Sequence, residues 1–242
     1  MSSAVAVLGL DRPAKGNALS AALVDALAAK LQAALADPAV HTIAFIGEGR
    51  NFCTGFDLSD LVETNDAELL LRFVRVEQLL DAVWRSPVRT VALAQGRTWG
   101  AGADLFAACD LRLATPDAEF RFPGAGFGLV LGTRRLAERV GRDEARRLTC
   151  DGGSLSSGNA LDAGLVTKVV PDATEETLLS FIQAPAADRI TVAALRAATS
   201  AEDSDADLAA LVRSAARTGL KERIMNYRGQ RAPAAKPETV SA

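Results

Sequence analysis

The sequence predicts an α/β domain followed by a C-terminal α-helical region. Two observations carry this prediction. Between Val5 and Val170, short apolar runs that fit buried strands alternate with segments whose apolar residues recur at helical spacing. From Glu175 to Tyr227 the pattern is helical and rich in alanine. The 242 residues, 49% of them hydrophobic, are enough for one large domain with a core of ordinary size.

The composition excludes several classes of function. Lys and Arg number 27 against 30 Asp and Glu, giving a net charge of -3 without a basic block, so we expect no nucleic-acid partner. One histidine, His41, and three widely spaced cysteines argue against a metal site or a disulfide framework. No apolar stretch approaches the roughly 18 residues needed to span a bilayer, and the N-terminus lacks a basic signal region. We therefore expect a soluble, cytoplasmic protein that does not bind membranes.

The first half of the chain predicts two β-then-α units. A strand is expected at Val5–Leu8, and Ser20 then caps a helix that ends before Pro38. The next strand, His41–Ile46, runs into a glycine-containing loop, and a long amphipathic helix covers Asp66–Arg85.

The second half continues the alternation with shorter elements. A glycine-rich turn, Gly96–Gly102, follows the strand that begins after Pro87. We predict strands at Val88–Ala94, Leu111–Ala114, Glu119–Phe122 and Leu165–Val170, and helices at about 103–109, 133–140, 143–150 and 158–163.

The predicted organisation has three parts. Residues 1–174 form the core that carries the functional site, and residues 175–227 form a helical region that serves oligomerisation. Residues 228–242 form a polar, proline-containing tail.

Several segments, in this order, resemble the crotonase (enoyl-CoA hydratase/isomerase) superfamily. They read LDRPAKGNAL at 10–19, FCTGFDL at 52–58, GRTWGAGADL at 96–105, AACDLRL at 107–113, FRFP at 120–123 and AGLV at 163–166. The resemblance implies a crotonase-like spiral of ββα units and a homotrimer or a hexamer built as a dimer of trimers. It also implies an acyl-CoA thioester substrate, with coenzyme A as part of that substrate and no separate cofactor.

The resemblance assigns a thioester oxyanion hole to the backbone amides of Phe56 and Ala101. Fixed amide dipoles in a dry site need no reorganisation as negative charge develops on an enolate. Gly55 and the pair Gly100 and Gly102 permit unusual backbone angles, and the second turn precedes a helix N-terminus. The alternative is that both are structural tight turns.

By the same mapping, Thr54, Asp57 and Leu58 line the path of the CoA nucleotide and pantetheine. Asp57 has an alternative role as a cap or turn residue.

The sequence departs from the family pattern at the acid/base positions. Hydratases of the family resemble one another in having two glutamates, and the matching positions here are Asp104 and Gly124. One carboxylate remains, shorter by a methylene of roughly 1.5 Å, and hydration uses two such groups to activate water and deliver a proton. The loop at 128–133 is also shorter by about three residues than the resemblance implies. Asp104 has an alternative role as the acidic residue of a helix N-terminus.

Other chemistry-bearing residues have ordinary explanations. We expect His41 to be a strand-end residue and Cys53 a small apolar filler. Trp99 either contacts the acyl or pantetheine chain or belongs to the core. Arg134 and Arg135 are expected to be solvated charges.

The leading prediction is an enoyl-CoA hydratase or isomerase with Asp104 as its acid/base group. Isomerisation needs one carboxylate that acts first as base and then as acid. The alternatives are a CoA-thioester-binding paralogue without catalysis or with altered chemistry, and an acyl-CoA hydrolase or decarboxylase that uses the same enolate hole. The glycines at 124–128 lack a phosphate-binding context, so no metal or nicotinamide requirement is expected.

Overall fold

The computed structural model describes residues 4–199 and 204–231. Its strands are β1 Val5–Leu10, β2 Thr42–Gly47, β3 Arg89–Ala94, β4 Arg97–Trp99, β5 Leu111–Ala114, β6 Glu119–Arg121, β7 Ser154–Ser156 and β8 Lys168–Val169. Its α-helices are α1 Ala21–Ala36, α2 Asp66–Trp84, α3 Ala101–Ala108, α4 Thr133–Val140, α5 Arg142–Cys150, α6 Ser157–Asp162, α7 Glu175–Ser180, α8 Arg189–Thr199, α9 Ser204–Ala215 and α10 Leu220–Arg231. Two 3₁₀ helices occupy Pro13–Lys15 and Pro123–Phe127.

The strands form two sheets. The larger has five parallel strands in the order β1-β2-β3-β5-β8, and the smaller has the order β4-β6-β7. All six residues of β2 are buried, as expected for a central strand covered on both faces. The α/β class and the C-terminal helices predicted from the sequence are confirmed.

The two long N-terminal helices begin at the residues whose side chains cap them. Ser20 Oγ accepts a hydrogen bond from the Leu23 amide at 3.2 Å, and α1 ends before Pro38. Asn65 and Glu68 form a reciprocal capping box at the start of α2. The capping box fixes the start of α2, whose inner face supplies part of the functional site.

The C-terminal helices share a core with the rest of the chain. Helix α9 packs on α2, and α10 packs on both α2 and the 3₁₀ helix Pro123–Phe127. Residues from these elements form one buried apolar cluster: Leu61, Leu69, Phe73, Leu129, Leu211, Ala215, Leu220 and Ile224. The region 175–227 is therefore partly integrated into the core, and its role in oligomerisation stays a prediction.

Several elements differ from the sequence prediction. The short strands β4 and β7 have too few residues to give an alternating pattern, and the predicted strand Leu165–Val170 is reduced to β8. The polar tail expected from 228 begins later, because α10 extends to Arg231, and residues 232–242 lie outside the described part of the chain. No helix in the described ranges has the length and apolar character to cross a membrane.

Candidate active site

The two glycine turns lie against each other. A parallel bridge pairs Cys53 with Thr98, and the Trp99 amide donates to the Cys53 carbonyl oxygen at 2.9 Å. Gly55, with φ of 100°, is where the turns touch: a Cβ there would lie 2.8 Å from the Trp99 oxygen and 3.6 Å from the Ala101 nitrogen. Only glycine fits this close approach at this backbone angle.

Two backbone amides at these turns have no acceptor within the described part of the chain. A parallel β-bridge pairs Phe56 with Leu19. In it the Leu19 amide donates to the Gly55 carbonyl oxygen at 2.8 Å and the Asp57 amide donates to the Leu19 carbonyl oxygen at 3.1 Å, which leaves the amide of Phe56 unbonded. Ala101 is the first residue of α3, where helical amides have no partner within the helix. The positive end of the α3 dipole lies at the same place. Both amides can therefore donate to an anionic oxygen.

A cavity of about 390 Å³ adjoins the two turns. Its wall is mostly aromatic and aliphatic, which suits an acyl chain more than a sugar or a phosphate. Asp104 supplies the one carboxyl group among the residues that line it. The apolar side chains of the wall are Phe56, Leu58, Phe73, Trp99, Phe122, Phe127, Leu129, Val130 and Leu131.

Asp104 lies in the first turn of α3 and is 6% exposed. Its carboxyl group accepts no hydrogen bond from the residues the structure describes. Burial raises the pKa of this carboxyl well above its usual range; the negative charge of Glu77 raises it further, and Arg135 opposes both effects. The group therefore holds a proton at a higher pH than an ordinary aspartate.

A buried ion pair stands near Asp104. Arg135 of α4 is fully buried and pairs with Glu77 of α2 through both terminal nitrogens. Our expectation that Arg135 is solvated was wrong, and Arg134 is only partly exposed because it pairs with Asp207 at 2.7 Å. The sequence carried a signal for this pair: Glu77 is four residues after Phe73, within the apolar stripe of α2, where a carboxylate needs a cationic partner.

The three residues predicted to line the CoA path divide into two groups. Thr54 and Leu58 are partly buried and line the cavity. The Asp57 side chain does not line it: one carboxylate oxygen pairs with Arg12 at 2.8 Å and the other accepts from the Ser59 amide at 2.9 Å. Burial raises the pKa of Asp57, but the bonds from Ser59 and Arg12 outweigh burial and hold it below its usual value. This geometry fits the structural alternative for the Asp57 side chain.

Gly124 lies on the cavity wall at the second acid/base position and carries no carboxyl group. A Cβ there would meet the Leu129 carbonyl oxygen at 3.4 Å, an ordinary contact. Space for a side chain exists, so the lack of one at this position does not come from crowding of the backbone.

The remaining sequence candidates have identifiable surroundings. His41 directly precedes β2 and contacts Thr42 Oγ1 through Nδ1 at 2.9 Å. Cys53 is fully buried, which raises the pKa of its thiol to about 12 and fits the filler role. Trp99 lines the cavity, with the guanidinium groups of Arg97 and Arg121 4.8 and 5.2 Å from its ring centre.

The C-terminal helix contributes a residue that the sequence did not single out. Tyr227 of α10 lines the cavity and packs on Phe127, with ring centroids 5.2 Å apart. Gly126 allows this contact, because a Cβ there would lie 2.5 Å from Tyr227 Cε2. The local pattern around Tyr227 is polar, so the contact depends on the tertiary path of α10. Within the described ranges, no group of three or more His, Cys, Asp or Glu residues could hold a metal ion.

Comparison with known proteins identifies the family. A family model described as enoyl-CoA hydratase/isomerase matches residues 1–227. The chain is 34% identical to a 2,3-dehydroadipyl-CoA hydratase of Escherichia coli, over 73% of this chain and 70% of that protein. A Mycobacterium bovis protein named as an enoyl-CoA hydratase is also 34% identical, over 69% of this chain and 67% of its own.

A solved structure agrees with these matches. A Bordetella parapertussis protein described as an enoyl-CoA hydratase/isomerase superposes with a TM-score of 0.88 at 44% identity and covers 94% of both chains. The chain therefore belongs to the enoyl-CoA hydratase/isomerase family, the crotonase superfamily predicted from its sequence motifs.

Proposed function

We propose that this family member acts on enoyl-CoA thioesters mainly as an isomerase, with the amides of Phe56 and Ala101 as the oxyanion hole and Asp104 as the acid/base group. The single observation that carries the proposal is the number of carboxyl groups that line the cavity. Among the described residues that line the cavity, Asp104 supplies the one carboxyl group, and Gly124 stands where the family resemblance expects a second glutamate.

The two amides supply the electrostatic part of the reaction. Removal of an α-proton leaves an electron pair that spreads into the thioester carbonyl and places negative charge on its oxygen. Two preorganised amides, one at a helix N-terminus and both without another acceptor in the described chain, are suited to that charge. Removing one such donor from an enzyme typically costs about 10²–10³ in rate.

Asp104 supplies the proton transfers. As a carboxylate it takes the proton from the α-carbon of a 3-enoyl thioester and becomes a carboxylic acid. It then returns that proton to the γ-carbon, and the double bond moves from the β,γ to the α,β position. Its raised pKa favours both steps, because the ionised form is a stronger base and the protonated form persists until the proton is returned.

Hydration is the less favoured reaction at this site. Addition of water needs a positioned and activated water molecule as well as a proton for the α-carbon. Two carboxylates usually share these two functions, and a single short carboxylate leaves no second group to bind and activate the water.

The test is hydrogen exchange at the α-carbon. A saturated acyl-CoA is incubated in deuterium oxide with the wild type or with Asp104→Asn, and deuterium uptake is followed by mass spectrometry. We expect exchange by the wild type and a loss of roughly 10²–10⁴-fold in Asp104→Asn, the usual contribution of a general base. Binding of the acyl-CoA should be nearly unchanged in the variant.

Three results would each overturn part of the proposal. Equal exchange by both proteins would make Asp104 structural and assign the chemistry to another group. Tight binding without exchange or turnover of a broad enoyl-CoA panel would favour the non-catalytic CoA-thioester-binding alternative. A thioester oxygen placed away from Phe56 and Ala101 in a complex with acyl-CoA would refute the oxyanion assignment.

The remaining parts of the functional prediction stay predictions. Thr54 and Leu58 line the cavity, which supports their proposed contact with CoA. Assembly as a trimer or hexamer is testable by light scattering, where a stable 25.3 kDa monomer would contradict it.

A further inference from the structure

The residue before α4 makes a contact that decides where the Asp104 carboxyl can lie. Gly132 has φ of 64° and its Cα faces Asp104. A Cβ at Gly132 would lie 2.6 Å from Asp104 Cγ and 2.9 Å from Asp104 Cβ, and closer still to Oδ1. Real side chains do not approach so closely, so the carboxyl occupies space that only glycine leaves free.

Packing, and not hydrogen bonding, holds the Asp104 carboxyl. Among the described residues no group donates to it, and its charged neighbours are the Glu77–Arg135 pair. A carboxyl without donors takes its position from the atoms that surround it. Gly132 is one of these surroundings.

Ion pairs hold the first turn of α4 in place, so that it resists displacement. Arg135 is fully buried and paired with Glu77, and the preceding Arg134 pairs with Asp207 and Glu138, each at 2.7 Å. These pairs connect the first turn of α4 to α2 and α9. An atom added at Gly132 would therefore displace Asp104 more readily than it would displace α4.

From this geometry we infer that Gly132 is a positioning residue for the proton-transfer chemistry, because its missing side chain sets the place of the Asp104 carboxyl against the cavity. This inference rests on the proposed role of Asp104 as the acid/base group. Gly132 is absent from the cavity wall, although its neighbours Leu131 and Thr133 line it. A methyl group at Gly132 should therefore move the carboxyl without filling the space that a substrate needs.

The chain offers a matched control for the backbone strain of the substitution. Gly152 has φ of 73°, close to the 64° of Gly132, and a Cβ there would meet no atom within 4 Å. Gly152→Ala therefore introduces a comparable backbone penalty without the contact to Asp104.

The experiment compares Gly132→Ala, Gly152→Ala, Asp104→Asn and the double variant Gly132→Ala/Asp104→Asn in the deuterium-exchange assay. A misplacement of about 1 Å can cost on the order of a hundredfold in rate, so we expect kcat for exchange in Gly132→Ala to fall about 10²-fold while KM stays near the wild-type value. Gly152→Ala should keep the wild-type rate. The double variant should exchange no more slowly than Asp104→Asn alone, because Gly132 acts only through that carboxyl.

Each other outcome has a definite meaning. Wild-type exchange in Gly132→Ala, with slow exchange in Asp104→Asn, would overturn the inference and leave the proposed function standing. Fast exchange in Asp104→Asn would overturn the proposed function itself. A double variant much slower than Asp104→Asn would show that Gly132 acts on something other than Asp104.

A second pair of variants decides the case in which Gly132→Ala fails to fold. Asp104→Ala removes Cγ and Oδ1, which are the two atoms nearest to the added methyl group. If crowding by the carboxyl is the cause, Gly132→Ala/Asp104→Ala should recover a cooperative thermal transition by circular dichroism. Failure of this double variant to fold, while Asp104→Ala and Gly152→Ala fold normally, would contradict the inference.

Discussion

Asp57 and Asp104 belong to the two glycine turns that form the site, and each residue is 6% exposed. Their pKa values nevertheless move in opposite directions. Asp57 lies near the surface beside the exposed Ser59 and has bonds to both of its oxygens, whereas Asp104 is enclosed by helices and has no donor in the described chain. The two carboxyl groups therefore differ in their depth below the surface and in their hydrogen-bond partners, although the exposed fraction of the two residues is the same.

The difference separates a carboxylate that is held in its charged form from a carboxyl group that suits the proposed proton transfer. A carboxylate with bonds to both oxygens is stabilised in its charged form and is a weak base. A buried carboxyl without donors gains more from a proton, and it can exchange that proton with a substrate. Counting the bonds to a carboxyl thus says more about its chemical role than measuring its exposure.

The largest expected change of stability comes from the ion pair beside Asp104. Glu77→Gln leaves Arg135 with Asp81 and Asp207 at 3.7 Å as its remaining anions, so we expect a loss of about 3 kcal/mol in the free energy of unfolding. The pKa of Asp104 should fall, because the like charge of Glu77 is gone and only burial then opposes the effect of Arg135. Urea unfolding gives the first quantity, and the pH profile of α-proton exchange, moved to lower pH, gives the second.

The partly exposed pair of Arg134 with Glu138 provides a control. Glu138→Gln should cost no more than about 1 kcal/mol and leave the pH profile unmoved. An unchanged profile in Glu77→Gln would show that the buried pair does not act on Asp104.

A smaller loss of stability is expected at the other carboxylate. Asp57→Asn weakens the bonds from Arg12 and the Ser59 amide and should lower the free energy of unfolding by about 1–3 kcal/mol. Exchange activity should fall far less than in Asp104→Asn. The nearby ion pair of Arg72 with the exposed Asp60 supplies the reference variant. Asp60→Asn should lower the free energy of unfolding by less than about 1 kcal/mol. If folded Asp57→Asn lost as much exchange activity as Asp104→Asn, the proposed difference in role between the two carboxylates would be contradicted.

The smallest change of stability at acidic pH is expected for Asp104→Asn, and this change should grow as the pH rises. A carboxyl whose folded-state pKa is raised contributes stability below its unfolded pKa of about 3.9, and that contribution is lost as pH rises toward the folded pKa. Wild type and variant should therefore be similar near pH 4, and the variant should gain by up to about 1.4 kcal/mol per pH unit above it.

Asp57 should give the opposite pH signature. Its lowered pKa contributes stability above the unfolded value, and that contribution is lost as pH falls through the folded pKa. Thermal unfolding of wild type, Asp57→Asn and Asp104→Asn from about pH 2 to about pH 8 measures both trends, because the Asp57 contribution is lost below its unfolded pKa of about 3.9. Parallel curves for the two variants would contradict the assignment of opposite pKa shifts.

The sequence predicted the parts of this molecule that depend on local pattern. The cap at Ser20 follows from its residue type before a helical repeat, the long helices and buried strands follow from residue periodicity, and the two glycine turns follow from family motifs. The capping box at Asn65 was not predicted. The short strands β4 and β7 were missed, since three residues give no recognisable alternation.

The site was predicted less completely, because its missing members come from tertiary contacts. Arg135 was expected in solvent, and its burial depends on Glu77, 58 residues earlier in the chain. Tyr227 reaches the cavity only through the path of α10, and the space at Gly132 matters only because Asp104 fills it. No local pattern around these residues encodes such partners.

The main-chain origin of the two donors at Phe56 and Ala101 has a consequence for how such a site can change over time. Nearly every substitution retains the backbone N–H, so replacement of the Phe56 or Ala101 side chain does not delete a donor; proline, or loss of the glycine geometry, is required. A side-chain carboxyl such as that of Asp104 has no such protection and can be lost in one step, and Gly124 shows a cavity position without one. On the proposed function, the two backbone donors are therefore robust to mutation, and the acid/base groups around them are free to diverge.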